Sequence, residues 1–216
     1  MIQLEKKIID FVRNELAHNK DASNDIGHLK RVAEKSKHLY LHEGGDLQVI
    51  LISSYFHDIV SLPRDSLIKH HSSTFAAQKT IKILRQHFKE VSVNLYGHIA
   101  DVIRSHSDSA AIQPMSIEAK ILRDADRLDA IGAIGLARVF YIAGVLGQKI
   151  YDDSDPFAKH RPLDDKKYTL DHFYLKLLKL PETLHTAEGK RLAEKRVQYL
   201  LDYLNKLKQE IYIMEE

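Results

Sequence analysis

The chain has no cysteine, so disulfides, thiolate zinc sites and a cysteine nucleophile are excluded, and any metal must be held by nitrogen and oxygen. Proline is scarce at 5 residues and glycine at 9. No strand-like alternation of any length is present either, which argues against a sandwich or barrel. Long charge-free apolar runs are missing too. The most apolar stretch, Ala130 to Gly147, follows Asp129 and is interrupted by Arg138 and by glycines, so it reads as a buried helix and not as a membrane span. The segment Met1 to Phe11 mixes charges into its apolar residues and lacks the continuous core of a signal peptide, so the expected location is cytoplasmic, with no membrane partner. Nor is there an excess of one charge: a formal +2 is too mild for a nucleic-acid partner, which needs clustered cations. Nucleotide-binding glycine loops and the serine-hydrolase elbow are absent.

What is present fits one compact domain over residues 1–216. With 44% hydrophobic and 29% charged residues in 216, the chain can bury a core. Stretches rich in Leu, Ile, Ala, Lys and Glu make all-α the expected fold class. The 13 histidines are more ligands and acid–base groups than a domain of this size needs.

Apolar spacing predicts a first helix ending near His18, and a second from Ile26 to Gly44-Gly45 with His28 in its first turns. A third, capped by Asp46, should run through Val60 and sit centrally, because Val49-Ile50-Leu51-Ile52 leaves little exposed face. Ser72 or Ser73 should cap a fourth helix to about His87. A fifth spans Val91 to His106, and Ser116 caps a sixth that carries Asp124, Asp126 and Asp129. A seventh runs from Gly132, with Gly132 and Gly135 permitting close packing. A loop from Lys149 to Lys167, a short helix around Leu170 to Leu180 and a long helix from Thr186 to Ile213 complete the chain. Most of Tyr168, Phe173, Tyr174, Tyr199 and Tyr203 are expected in the core.

The costliest residues to bury are His57-Asp58, which close the apolar run Ser53-Ser54-Tyr55-Phe56; an imidazole beside a carboxylate in such a setting needs a strong partner, and a divalent ion is one. A helix end lets adjacent side chains turn toward one ion, and its carbonyl end favours a cation. Gly27-His28-Leu29-Lys30-Arg31-Val32 lies upstream and Asp124-Ala125-Asp126-Arg127-Leu128-Asp129 downstream. Two imidazoles and two carboxylates from distant helices suit a catalytic site with room for water and substrate, not a structural zinc site.

This order of His, then His-Asp, then Asp resembles the HD-domain metal-dependent phosphohydrolases. With Asp126-Arg127-Leu128-Asp129-Ala130-Ile131-Gly132, Lys159-His160-Arg161-Pro162-Leu163 and His172-Phe173-Tyr174, it resembles the YedJ/YpgQ-like branch over nearly the full chain. The resemblance implies an HD-domain helical bundle, its metal-binding core at about 20–148, with C-terminal helices over 149–216 covering the site. It implies His28, His57, Asp58 and Asp126 as ligands of one divalent ion, manganese first, with magnesium, iron(II) or nickel as alternatives. Asp126 is preferred to Asp124 and Asp129 because it holds the family's Ala-Asp-Arg-Leu position. A second metal, using His71, His98 or His106, is not favoured.

The activity so implied is hydrolysis of nucleoside or deoxynucleoside triphosphates to monophosphate and pyrophosphate, by attack of a metal-bound water on phosphorus. Asp58 would orient that water, and His71 or His106 would protonate the leaving oxygen. Arg64, Lys69, Arg127, Lys159, His160 and Arg161 are candidate phosphate clamps, and Asp129, one turn beyond Asp126, can face the same cavity. A 5′-nucleotidase and a non-catalytic nucleotide-sensing module with a structural metal remain the alternatives. The small-molecule partner is a nucleotide, and the protein is a monomer or a homodimer.

Overall fold

The computed structural model describes residues 2–17, 25–62 and 66–212. Among them run α1 (Ile2–Glu15), α2 (Ile26–Glu43), α3 (Leu47–Phe56), α4 (Ser72–His87), α5 (Tyr96–Arg104), α6 (Ile117–Asp129), α7 (Gly132–Val145), α8 (Thr169–Leu175), α9 (Leu180–Thr183) and α10 (Ala187–Tyr212), with four short 3-10 turns. The one extended pairing among the described residues is an isolated bridge, Lys149 to Tyr168. The class is all-α. Two compact units, Met1–Asp126 and Arg127–Glu216, meet inside α6.

In the first unit everything is organised around α3. Asp46 caps it as expected, accepting from the amides of Gln48 at 2.8 Å and Val49 at 3.2 Å. Glu118 of α6 in turn accepts the Asp46 amide at 2.9 Å. Every residue from Val49 to Phe56 is buried, because α1, α2, α4 and α5 all pack on this one helix. A helix that is apolar all round has no solvent face to offer. Full burial of a side chain such as Leu51, Ile52 or Phe56 contributes about 1.5–3 kcal/mol. Phe11, Phe56 and Phe88 meet with ring centroids 5.6 to 6.2 Å apart. Ser54, also buried, is satisfied: its hydroxyl donates to Ile50 O at 2.8 Å and shares a hydrogen bond with the Ser36 hydroxyl at 2.9 Å.

Several element ends depart from the expected pattern: α5 starts at Tyr96 instead of Val91, and two more bear on the site. α3 stops at Phe56 instead of Val60, leaving His57 and Asp58 in the turn that follows. Neither Ser72 nor Ser73 caps α4; Ser73 Oγ donates instead to Arg104 O at 3.0 Å, which ties the start of α4 to the end of α5. Gly44, at φ +78°, ends α2 in the left-handed region that favours glycine.

In the second unit α7 packs along α10, and Phe140, Phe173 and Tyr203 form an aromatic cluster with centroids 6.0 to 6.5 Å apart. Tyr168 and Phe173 are buried as expected, whereas Tyr199 is exposed. The loop after α7 is closed at its base, where Lys149 N donates to Lys167 O and Thr169 N to Lys149 O. Asp155 fixes its far end by accepting the amides of Lys159 at 2.9 Å and His160 at 2.7 Å. The expectation of a buried α7 is corrected: only Gly132, Gly135 and Ala143 are buried in it. Its apolar composition is real, but the chain covers one side of the helix alone. Among the described residues no single helix is long and apolar enough to cross a membrane.

The glycines differ in what they allow. A Cβ on Gly135 would stand 2.2 Å from Ala130 O, so the close approach is to backbone just before the helix, while a Cβ on Gly97 in α5 would meet nothing within 4 Å. Gly135→Ala should therefore destabilise the protein by about 3 kcal/mol or more, and Gly97→Ala should stabilise it by about 0.4–1 kcal/mol through the unfolded chain. Denaturant midpoints of the two variants check both signs.

Candidate metal centre

His28 is placed by a helix start. Asp25 caps α2 by accepting the His28 amide at 2.7 Å, which sets the imidazole in the first turn, where it is buried. His57 is placed by a helix end. Its Nδ1 lies 2.9 Å from Ser54 O, so Nδ1 carries the proton and Nε2 is left with a lone pair. That Nε2 is buried and has no hydrogen-bond partner among the described residues, which costs about 1–3 kcal/mol in a dry site.

Two carboxylates converge on the same point. Asp58 Oδ2 lies 3.5 Å from His57 Nε2 and 3.8 Å from His28 Nε2. Asp126 Oδ1 lies 3.4 Å from His28 Nε2 and 4.0 Å from His57 Nε2. The ligand atoms of His28, His57 and Asp58 all fall within 4.8 Å of one another. Such separations are mostly too long for hydrogen bonds, and they suit donors that each stand about 2.1 Å from a shared ion. The orphaned lone pair and the mixed imidazole–carboxylate set both fit a divalent cation. The imidazoles are sealed at 2% and 0% exposure while Asp58 and Asp126 keep 21% and 33%, so the site opens on its carboxylate side.

A fifth residue joins the cluster. His106, just beyond α5, has its Nδ1 2.7 Å from Ile103 O and its Nε2 3.5 Å from Asp58 Oδ1. Asp58 thus turns one oxygen toward His28 and His57 and the other toward His106. Burial works to raise the Asp58 pKa, but His57, His106 and His28 together hold it well below the usual carboxylate range. Burial pushes His57 down against the pull of Asp58. For His106 burial also acts downward, yet Asp58 and Asp126 leave its pKa raised.

The other residues singled out from the sequence are placed differently. Asp129, one turn on from Asp126, is buried and paired with Arg138 Nη1 at 2.5 Å. Asp124 is fully buried. His98 is engaged elsewhere, 3.1 Å from Glu118 Oε2. His71 is exposed in the 3-10 turn Lys69–His71, its ring against His70 and Phe75, and no ion pair or ring contact among the described residues joins it to the cluster. Lys69, in the same turn, is exposed. Arg127 donates to Thr183 O. Lys159 and His160 are exposed on their loop. Arg161 is not held out toward solvent: it grips Asp171 at 2.5 and 2.9 Å and covers the Tyr168 ring at 4.4 Å. Arg64 lies outside the described residues. The groups that the sequence did not reveal are backbone: the carbonyls of Ser54 and Ile103, which orient His57 and His106, carry no side-chain signature.

Comparison with known proteins finds HD-domain relatives. The family model described as HD domain matches residues 25–131, a span that holds all four expected ligands. The Bacillus subtilis (strain 168) protein YpgQ is 28% identical over 193 residues, 89% of this chain and 87% of that protein. A crystal structure of an HD-superfamily hydrolase from Bacillus thuringiensis superposes with TM-score 0.76 at 29% identity, covering 99% of this chain and 98% of that one. The Lin1889 protein from Listeria innocua gives TM-score 0.72 at 32% identity, covering 98% and 99%. YpgQ in complex with ADP gives 0.72 at 27%, covering 97% and 95%.

A cation that binds only the folded chain adds stability by mass action, about 2.7 kcal/mol at a hundredfold excess over its Kd. Titrating metal-stripped protein with Mn²⁺ should therefore raise Tm, and His57→Ala or Asp58→Ala should remove the rise. An unchanged Tm in the parent protein would contradict the site.

Proposed function

The chain belongs to the HD-domain family and is an HD-superfamily hydrolase, and from this premise we infer that it cleaves nucleoside or deoxynucleoside triphosphates to monophosphate and pyrophosphate. The observation that carries the reading is the division of labour at Asp58, whose Oδ2 lies toward His28 and His57 while Oδ1 lies 3.5 Å from His106 Nε2. The complex of the relative YpgQ with ADP supports a nucleotide as the ligand.

His28, His57, Asp58 and Asp126 would hold the ion, with manganese the first choice for a site of two imidazoles and two carboxylates. A divalent ion there supplies Lewis acidity toward a phosphate oxygen and a water acidic enough to ionise near neutral pH. Asp58 Oδ1, the oxygen turned toward His106, accepts a hydrogen bond from the attacking water and aims it. His106, with Nδ1 tied to Ile103 O, takes the water's proton at Nε2. Departing pyrophosphate needs its charge neutralised more than it needs a proton, which reduces the requirement for His71 as an acid. Lys159 and His160 are suited to that neutralisation because Asp155 holds their backbone still while their side chains are exposed; Lys69, Arg127 and Arg64 are further cationic candidates. Arg161 contributes by holding the loop through Asp171.

Incubation of Mn²⁺-loaded protein with a nucleoside triphosphate panel should release pyrophosphate, and Asp58→Ala or Asp126→Ala should abolish it. His106→Asn should lower kcat by about 10²–10⁴. Lys159→Ala should raise KM, whereas Arg161→Ala, which strands the buried Asp171, should lose about 3 kcal/mol of stability. Orthophosphate as the product, or turnover surviving in both Asp variants, would overturn the reading.

A further inference from the structure

Arg123 is a buried cation that the metal centre does not account for. It stands in α6 with its side chain 7% exposed, one turn before the expected ligand Asp126 and on the same side of the helix. Its guanidinium reaches out of α6 to two points of one loop: Nη1 donates to Ile112 O at 3.2 Å, and Nη2 to the carboxylate of Asp108. Nε is buried with no hydrogen-bond partner among the described residues. Burying an arginine is costly, and packing alone would be served as well by an apolar side chain of similar volume. What an arginine adds is a planar fork that fixes two acceptors at once.

The loop it holds begins at His106. Asp108–Ala110 form a 3-10 turn two residues on, followed by Ala111 at φ +54°, whose amide donates to Asp108 O at 3.0 Å. The same turn packs on the 3-10 turn Lys69–His71. On its other side His106 is anchored to α5, with Nδ1 2.7 Å from Ile103 O, and α5 is tied to α4 through Arg104 O. Neither of these two hydrogen bonds reaches α6, the helix that carries Asp126. Arg123 supplies that link. We propose that Arg123 is a positioning residue for the reaction: by gripping Asp108 and Ile112 it sets the loop after His106 in register with α6, so that His106 Nε2 stands 3.5 Å from Asp58 Oδ1. It touches neither substrate nor metal. The inference rests on the reading of His106 as the base, and one arm of its test needs no turnover.

Arg123→Gln should lower kcat for pyrophosphate release by about 10- to 100-fold with KM changed by less than about twofold. The Mn²⁺-induced rise in Tm should persist, because His28, His57, Asp58 and Asp126 are untouched. Arg123→Lys, which offers a point charge instead of a fork, should recover part of the loss. Asp108→Asn should lower kcat in the same sense by a smaller factor; its side chain is 63% exposed, so this variant decides the question where Arg123→Gln fails to fold. In metal-stripped protein, long-range proton–nitrogen correlation spectra should show the His106 imidazole nitrogens shifted in Arg123→Gln and Asp108→Asn, with those of His57 unchanged. That shift in a protein whose parent form has no turnover would support the positioning of His106 and sink the reading of the reaction. Unchanged His106 spectra in both variants, an unchanged kcat, or a kcat loss matched by loss of the Mn²⁺ response would overturn the proposal.

Discussion

A sealed imidazole with an unused lone pair, at the end of a helix that is otherwise wholly apolar, is the constraint on which the first unit depends. His57 can be buried there because Ser54 O accepts a hydrogen bond from its Nδ1–H, and its Nε2, which has no hydrogen-bond partner among the described residues, is left free to face a cation. The rest of the centre follows from that lone pair. α3 must be central to seal the imidazole, so four helices pack on it. The helix must also end at Phe56, because only past its last turn can His57 and Asp58 point to one spot. Asp25 and Asp46, each capping a helix, bring the start of α2 and the course of α3 into the register that this spot requires.

Much of this was legible in the residues because it involved groups that are expensive to hide. His28, His57, Asp58 and Asp126 stand out as imidazoles and carboxylates in apolar company, and the family pattern selects Asp126 where the carboxylates alone leave Asp124 and Asp129 open. In the structure Asp126 Oδ1 lies 3.4 Å from His28 Nε2. Asp129 is consumed by Arg138, a pairing hidden from sequence because the turn at Gly132 separates the two residues. Arg161 was hidden in the same way. In a basic loop it reads as an anion ligand, and only the fold shows Asp171 behind it. Between His71 and His106 nothing local discriminates, since the choice depends on which loop end packs against Asp58.

α7 marks another boundary of what a pattern can say. Hydrophobicity records that a surface is meant to be covered and is silent on what covers it. An apolar helix from Gly132 to Val145 reads as a buried one, and the exposure of Tyr141 and Val145 shows that its own domain covers one side of it alone. The long loop from Lys149 to Tyr168 teaches the converse. Expected simply as a loop, it is held by Asp152, Asp155 and Asp171, which bind its backbone and side chains at several points, so the backbone of Lys159 and His160 is fixed. Preorganisation of that kind lowers the entropy lost on binding, which the proposed phosphate contacts would need.

The account stands on two imidazoles and two carboxylates sharing one cation. Pulsed electron paramagnetic resonance of the Mn²⁺-loaded protein tests it most directly, by counting the ligand nitrogens coupled to the bound ion. Two imidazole nitrogens per manganese, falling to one in His28→Ala, is the predicted result. A manganese signal without nitrogen coupling, or a count unaffected by that substitution, would contradict it.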